Sequence, residues 1–260
     1  MIHILKVYAK AISFSVAQAT IFRTAFFLFY LWLFVDTLIK VLFFSAIYTQ
    51  VNSIGGWNFT DVFLLVVVNG ILWDMVWCLF LSGFEKFIED FSKGNFDFIL
   101  LKPMNPLLYI TITGFHARSF SGARLPLLLY AILFLPISWP FLNIIAAIIV
   151  FLAGIVVYHA LFAIVASLAF WIIDSEPILD FSFSITEGSR FPVTIFPKAL
   201  QIIFTFIIPI FLVANYPVMI LQQMTSPSFA LTAILIAIGS EVIAFLVWKF
   251  SIKHYSSASS

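Results

Sequence analysis

Val62–Leu81 reads VFLLVVVNGILWDMVWCLFL and runs without a break into SGFEKFIEDFSKGNFDFILLKP, Ser82–Pro103. The first stretch is apolar and has the roughly 20 residues that a helix needs to cross the hydrocarbon core of a bilayer. The second is amphipathic. Glu85, Glu89 and Ser92 fall on one helical face at four- and three-residue spacing, while Phe84, Phe87, Ile88 and Phe91 occupy the other. Gly94 is placed to stop that helix. A loop that merely joined two spans would not need such a face. The segment 82–106 therefore predicts a short helix on the cytoplasmic side, fit to dock a soluble partner. Its apolar side either fills a groove on that partner or packs against the ends of the spans.

Composition extends this reading to the whole chain. Hydrophobic residues make up 63% and charged residues 10% of the 260 positions, and phenylalanine alone occurs 33 times. A soluble fold of this length needs far more charge on its outside, so the chain is an integral membrane protein. The net charge of +1 excludes a nucleic-acid binder, which would need a basic face to neutralise phosphates. Cys78 has no partner in the sequence for an internal disulfide. Ala17-Gln18-Ala19 imitates a signal-peptidase site, but only Ala11–Val16 separates it from Lys10, too little for a signal core. Instead His3, Lys6, Lys10, Ser13 and Ala17 recur at helical steps among apolar residues. That pattern predicts an interfacial helix over 1–20.

An all-α architecture of about six spans follows. Thr24–Ile47 and Val62–Leu81 are the first two, and a third ends at Leu135 after an uncertain start at Leu107 or Leu125. Phe141–Ile173 is the fourth, a weak fifth extends to about Pro192, and Phe229–Trp248 is the last. Pro192, Pro197, Pro209, Pro217 and Pro227 break the tract before that last span. One straight helix cannot absorb so many prolines, since each removes a donor and clashes with the preceding turn. Residues 193–227 are therefore expected to form short re-entrant pieces on the exterior side that help to line a cavity. With the N-terminus inside, Lys6, Lys10, Arg23, Lys86, Lys93, Lys102, Arg118, Arg124, Lys249 and Lys253 share one side, and only Arg190 and Lys198 the other. This asymmetry places both termini in the cytoplasm. Trp57, Trp139, Trp171 and Trp248 are expected at the interfaces.

Four ionisable residues lie inside spans. Asp36 and Lys40 share a helical face as an i, i+4 pair. Asp74 and Glu241 have no partner nearby in sequence. They mark either a polar or proton pathway or hydrogen-bonded contacts between helices. No phosphate-binding G-x-x-x-x-G-K-[ST] loop, no H-E-x-x-H and no G-x-S-x-G occurs, and the histidines at 3, 116, 159 and 254 show no zinc spacing. No metal site, bound cofactor or catalytic residue is expected in this chain. An intramembrane enzyme is disfavoured. An ion-coupled secondary transporter using Asp36, Asp74 and Glu241 remains the rival reading, although such folds commonly carry inverted repeats and none is evident.

Lys93–Pro103 resembles the G-x-[LF]-D-x-x-L-[LI]-[RK]-P segment of a bacterial ABC-2-type permease family of about 260 residues, with Gly94, Asp97 and Pro103 in the matching positions. Arg190–Pro197, then Ile208-Pro209 and Asn215-Tyr216-Pro217, resembles its second signature, P-x-x-I-[FY]-P … I-P … Y-P. The resemblance implies one transmembrane domain over 1–260, acting as a permease subunit of an exporter in the bacterial inner membrane. It also implies a second copy or a related permease as partner, and separate ATPase subunits that bind ATP and Mg. The helix carrying Phe84, Glu85, Phe87, Ile88, Glu89 and Phe91 would then be the coupling helix, and the transported substrate stays open.

Overall fold

The computed structural model describes residues 10, 12–13, 17, 23–119, 122–135, 138, 140–172 and 176–255. The predicted interfacial helix over 1–20 and the predicted interfacial Trp139 fall outside them, apart from isolated positions of the former. Among the described residues the chain is helical throughout, with one isolated bridge between Ile54 and Trp57.

Four helices are long and apolar enough to cross a membrane, and a bent pair makes a fifth candidate. Helix α1 spans Arg23–Tyr48 and α2 spans Phe59–Val76. Asn58 caps α2 by accepting from the Asp61 amide at 3.1 Å, while Asp61 accepts from the Asn58 amide at 2.8 Å. At Trp77–Leu81 the helix widens into a π turn and continues as α3, Ser82–Ser92. From Phe59 to Ser92 it is one helix of 34 residues. The predicted surface helix is thus the prolongation of the second span rather than a separate element lying flat. At 1.5 Å per residue the rod measures about 50 Å, against a core of about 30 Å, so its charged end stands clear of the hydrocarbon. Helix α3 stops where the glycine predicts. Gly94 takes φ 73°, and the Gly94 and Asn95 amides return to Phe91 and Asp90.

Beyond it lie α4 (Phe96–Leu100), α5 (Pro106–Thr113) and α6 (Leu125–Phe134). The predicted third span is therefore two short helices, separated by a 3-10 turn at Ala117–Ser119 and by Gly122 at φ 69°. Polar His116, Arg124 and neighbouring glycines interrupt the apolar run at that point. Helix α7, Phe141–Ser167, is the central element and packs most extensively on α10 (Ile210–Leu221) and α11 (Phe229–Ser251). Its seam with α11 is built from small residues: Ala146, Ala153 and Ala160 on one side, Ala230, Ala233, Ala237 and Ala244 on the other, all buried. Lipid tails are as apolar as leucine, so close backbone approach, rather than the hydrophobic effect, holds such a seam.

The predicted fifth span is shorter than expected. Helix α8 covers Glu176–Thr186 and a 3-10 turn continues to Arg190. The proline tract then breaks as its composition requires. Pro192 and Pro197 precede a 3-10 turn and α9 (Lys198–Ile202), a π turn follows at Ile203–Ile207, and the chain bends by 102° before α10. Pro209 stands at the bend and Pro217 inside α10. The three described tryptophans expected at interfaces stand beside helix ends and differ in burial. Trp57 and Trp248 are 1% and 2% exposed, because each fills the core at a helix end, whereas Trp171 is exposed.

Candidate functional site

Helix α1 delivers Asp36, Thr37 and Lys40 one turn apart, and Lys40 Nζ donates to Asp36 Oδ2 at 2.6 Å, as their spacing predicts. Asp74, on α2, has a partner that local spacing could not supply. Arg124, directly ahead of α6, donates Nη1 to Asp74, Nε to Thr37 Oγ1 at 2.9 Å and Nη2 to Asp36 Oδ2 at 3.4 Å. One guanidinium therefore ties three elements together. The side chains of Arg124 and Asp74 are only 6% and 5% exposed. Sequence reading placed Arg124 among the cytoplasmic basic residues; it is instead buried in the bundle, drawn in by two carboxylates. Gly70 makes this geometry feasible, since a β-carbon there would overlap Arg124 Cδ and Nε. That glycine, one helical turn from Asp74, was the signal for a large side chain lying across α2.

A cavity of about 890 Å³ opens beside this cluster. Asp36, Lys40, Asp74 and Arg124 line it, and Trp32, Trp73, Trp77 and Phe183 form aromatic walls. Phe183 stacks on Trp77 with centroids 6.3 Å apart and planes inclined by 11°. The segment leading into the proline tract contributes Arg190 and Phe191 to the wall. Of the prolines assigned to that tract, Pro192, Pro197, Pro209 and Pro217 are not among the lining residues; they shape the backbone behind it. Asn215 holds that backbone, accepting from the Val193 amide at 2.8 Å and donating to the Ser189 carbonyl at 3.1 Å. Ser189 Oγ in turn accepts from Asn69 at 3.0 Å and from Tyr158 at 3.2 Å.

Glu241 also has a long-range partner. His159 Nδ1 lies 3.0 Å from Glu241 Oε2, and its Nε2 lies 2.9 Å from Thr111 Oγ1. Thr111 spends its hydroxyl proton on the Leu107 carbonyl at 2.9 Å, so it can only accept from His159 Nε2. The rings of Phe80 and Phe84 close over the imidazole at 5.1 and 5.5 Å. This group of α5, α7 and α11 is separate from the cavity. Among the described residues, no three His, Cys, Asp or Glu side chains gather in a way that would hold a metal ion.

The amphipathic segment divides differently from the docking expectation. Phe84, Phe87 and Ile88 are 0%, 1% and 2% exposed within this chain. Phe87 packs on Phe96, Phe170 and Trp248, and Phe91 on Phe170 and Tyr255. Tyr255 donates to Asp97 Oδ1 at 3.0 Å, pinning the signature loop to the end of α11. The apolar face thus packs against the ends of the spans. What α3, α4 and the residues next to them leave outside is Lys86, Glu89, Ser92, Lys93, Phe98, Leu100, Leu101, Lys102 and Pro103. Glu85 is half-buried, and burial pushes its carboxyl above the ordinary range. Glu89, exposed, is held lower by its bond to Lys93.

An all-helical membrane-spanning bundle with a charged prolongation of one span and a polar-floored interior cavity has the form of a transport subunit. The model of the ABC-2 family transporter proteins matches residues 34–259. The chain belongs to that family, and the match leaves the ion-coupled carrier as the weaker reading. The family implies association with ABC ATPase subunits. No curated protein and no solved structure matches the chain.

Proposed function

We propose that this chain is the permease of an ATP-driven exporter in the bacterial inner membrane. It works as a homo- or heterodimer with a second permease, both termini face the cytoplasm, and two separate ATPase subunits bind ATP and Mg. The chain itself breaks no bond. The observation that carries the reading is the family match joined to the rod Phe59–Ser92. The rod's charged end is the only part of the helix suited to meet a soluble partner, and its other half carries Gly70 and Asp74 in the cavity wall.

A displacement of α3 therefore reaches the cavity along one continuous backbone. The two helices α3 and α5 are locked by a close approach: a β-carbon on Gly83 would overlap the Ile110 carbonyl, and Ser82 Oγ donates to the Gly114 carbonyl at 2.6 Å. The Cys78 carbonyl, in the π turn, accepts from the His116 amide at 2.8 Å. Positive-inside orientation is supported by the same end of the bundle. Tyr255 and Trp248 bring the C-terminal end of α11, with Lys249 and Lys253, beside Lys86, Lys93 and Lys102.

The test separates docking from packing. Phe98→Ala with Leu101→Ala should release the ATPase on co-purification, by about thirtyfold in affinity for a buried anchor, and leave the thermal stability of the permease unchanged. Phe87→Ala should lower that stability instead. Retention of the ATPase by the first variant, at normal membrane levels, would place the coupling surface elsewhere.

A further inference from the structure

We infer that the cavity walled by Trp32, Trp73 and Phe183 and floored by Lys40 and Arg124 binds an amphiphile with an anionic head and an aromatic or aliphatic body. The volume, about 890 Å³, lies in the range that holds drug-sized ligands.

Both carboxylates of the wall are engaged. Asp74 is held by Arg124, and Asp36 Oδ2 accepts from both Lys40 at 2.6 Å and Arg124 at 3.4 Å. Lys40 has donors to spare. An ammonium carries three N–H groups, and among the described residues Lys40 meets no acceptor other than Asp36. Its side chain is 41% exposed, at the cavity, so the remaining donors are free to reach a ligand. Arg190 adds a third cation to the wall, while its partner Glu187 is not among the lining residues. Asp36 and Asp74 balance Lys40 and Arg124, and the charge turned toward the cavity beyond that balance is Arg190, paired with Glu187 behind it. A cationic ligand would compete with Lys40 and Arg124 for Asp36 and Asp74. An anionic head meets spare charge-assisted donors, which are the strong kind.

The body of the ligand has its own complement. Trp73 on α2 and Trp77 in the π turn that follows stand one turn apart, and Phe183 faces both, at 6.2 and 6.3 Å between centroids. Trp32 lines the other side from α1 and is 60% exposed. Since α1 is packed mainly on α2, an amphiphile already in the membrane has a route past Trp32 to the charged floor. The inference rests on the permease reading only in taking the bound molecule for cargo.

The experiment uses the full chain in lipid nanodiscs without ATPase, so binding can fail or succeed independently of coupling. Three probes share one body and differ in the head: naphthylacetate, naphthylethanol and naphthylethylammonium. Equilibrium dialysis should rank the carboxylate tightest. Lys40→Gln should weaken the carboxylate by about tenfold, the worth of one charge-assisted bond, and leave the alcohol unchanged. Trp73→Leu should weaken all three probes alike. A monodisperse elution profile checks that each variant is folded. Equal affinity for the three heads, tighter binding of the ammonium, or indifference of the carboxylate to Lys40→Gln would each overturn the proposal.

Discussion

Asp74 and Glu241 are both carboxylates set in apolar helices, yet one is met by an arginine and the other by a histidine. Arg124 is held at three points: it reaches Asp74, Thr37 and Asp36 from a side chain that is 6% exposed. Among the described residues Glu241, 38% exposed, meets only His159, whose other nitrogen is taken by Thr111. The arginine site is permanently charged and depends on every member being present. The histidine site joins a carboxyl to an imidazole through one hydrogen bond. Removing one member of the first should leave a charge stranded in low dielectric. Removing one member of the second should leave only a weakened hydrogen bond.

The largest effect is expected from Arg124→Leu, which orphans Asp74 at about 3–5 kcal/mol. The variant should fail to yield monodisperse protein, and Arg124→Leu with Asp74→Leu should recover most of the loss in a thermal-shift assay. A single variant as stable as the double would remove the distinction between the two sites. Next comes Gly70→Ala, whose new methyl must push Arg124 aside, at about 1–3 kcal/mol for overpacking. Gly239→Ala, where a β-carbon meets nothing within 4 Å, is the control and should melt like the parent. Glu241→Gln should cost much less, about 0.6 kcal/mol, the average for hydrogen bonds between membrane helices, because the amide can still meet a neutral imidazole. A loss as large as that of Arg124→Leu would mean that the pair is a true ion pair.

The smallest effect concerns Glu85, a carboxylate that meets no cation among the described residues. Its folded-state affinity for a proton is raised by burial. The folded chain therefore holds that proton more tightly than the unfolded one, and stability falls as pH rises from the ordinary glutamate range through the raised value. Glu85→Gln should flatten this slope in a melting-temperature profile. An unchanged slope would mean that another group carries it.

How far the sequence reaches is clear from these same residues. Asp36 and Lys40 were legible because a four-residue spacing is a local fact of helix geometry. Gly94 was legible because few residues other than glycine accept its left-handed turn. The broken tract after α8 was legible from its prolines. Arg124 and His159 were not, since their partners lie 50 and 82 positions away and no periodicity records a contact between helices. A carboxylate in a span does require a partner, and Gly70 marked where one crosses. The face of Phe84, Phe87 and Ile88 carried a different ambiguity. Amphipathicity says that a face will be covered, and it does not say by what. Here Phe96, Phe170, Trp248 and His159 of the same chain cover it. The small-residue seam of α7 and α11 was also present in the sequence as alanines three, four and seven apart.

The clamp at Gly83 and Gly114 has a mechanical consequence. Together with the His116–Cys78 link it fixes the rod Phe59–Ser92 near one end, which makes that clamp a fulcrum. At 1.5 Å per residue the short arm from Gly83 to Ser92 is about 14 Å, whereas the arm to Gly70 is about 20 Å and the arm to Phe59 about 36 Å. A rigid tilt that moves the docking end by about 1 Å would swing Gly70 by about 1.4 Å and Phe59 by about 2.6 Å. The mechanical advantage is below one: force delivered at the charged end is exchanged for travel at the far end. That far end is where Tyr48 bonds the Trp57 carbonyl at 2.8 Å and Gly55 abuts Thr194, so the contacts joining the first loop to the proline tract would feel the widest stroke.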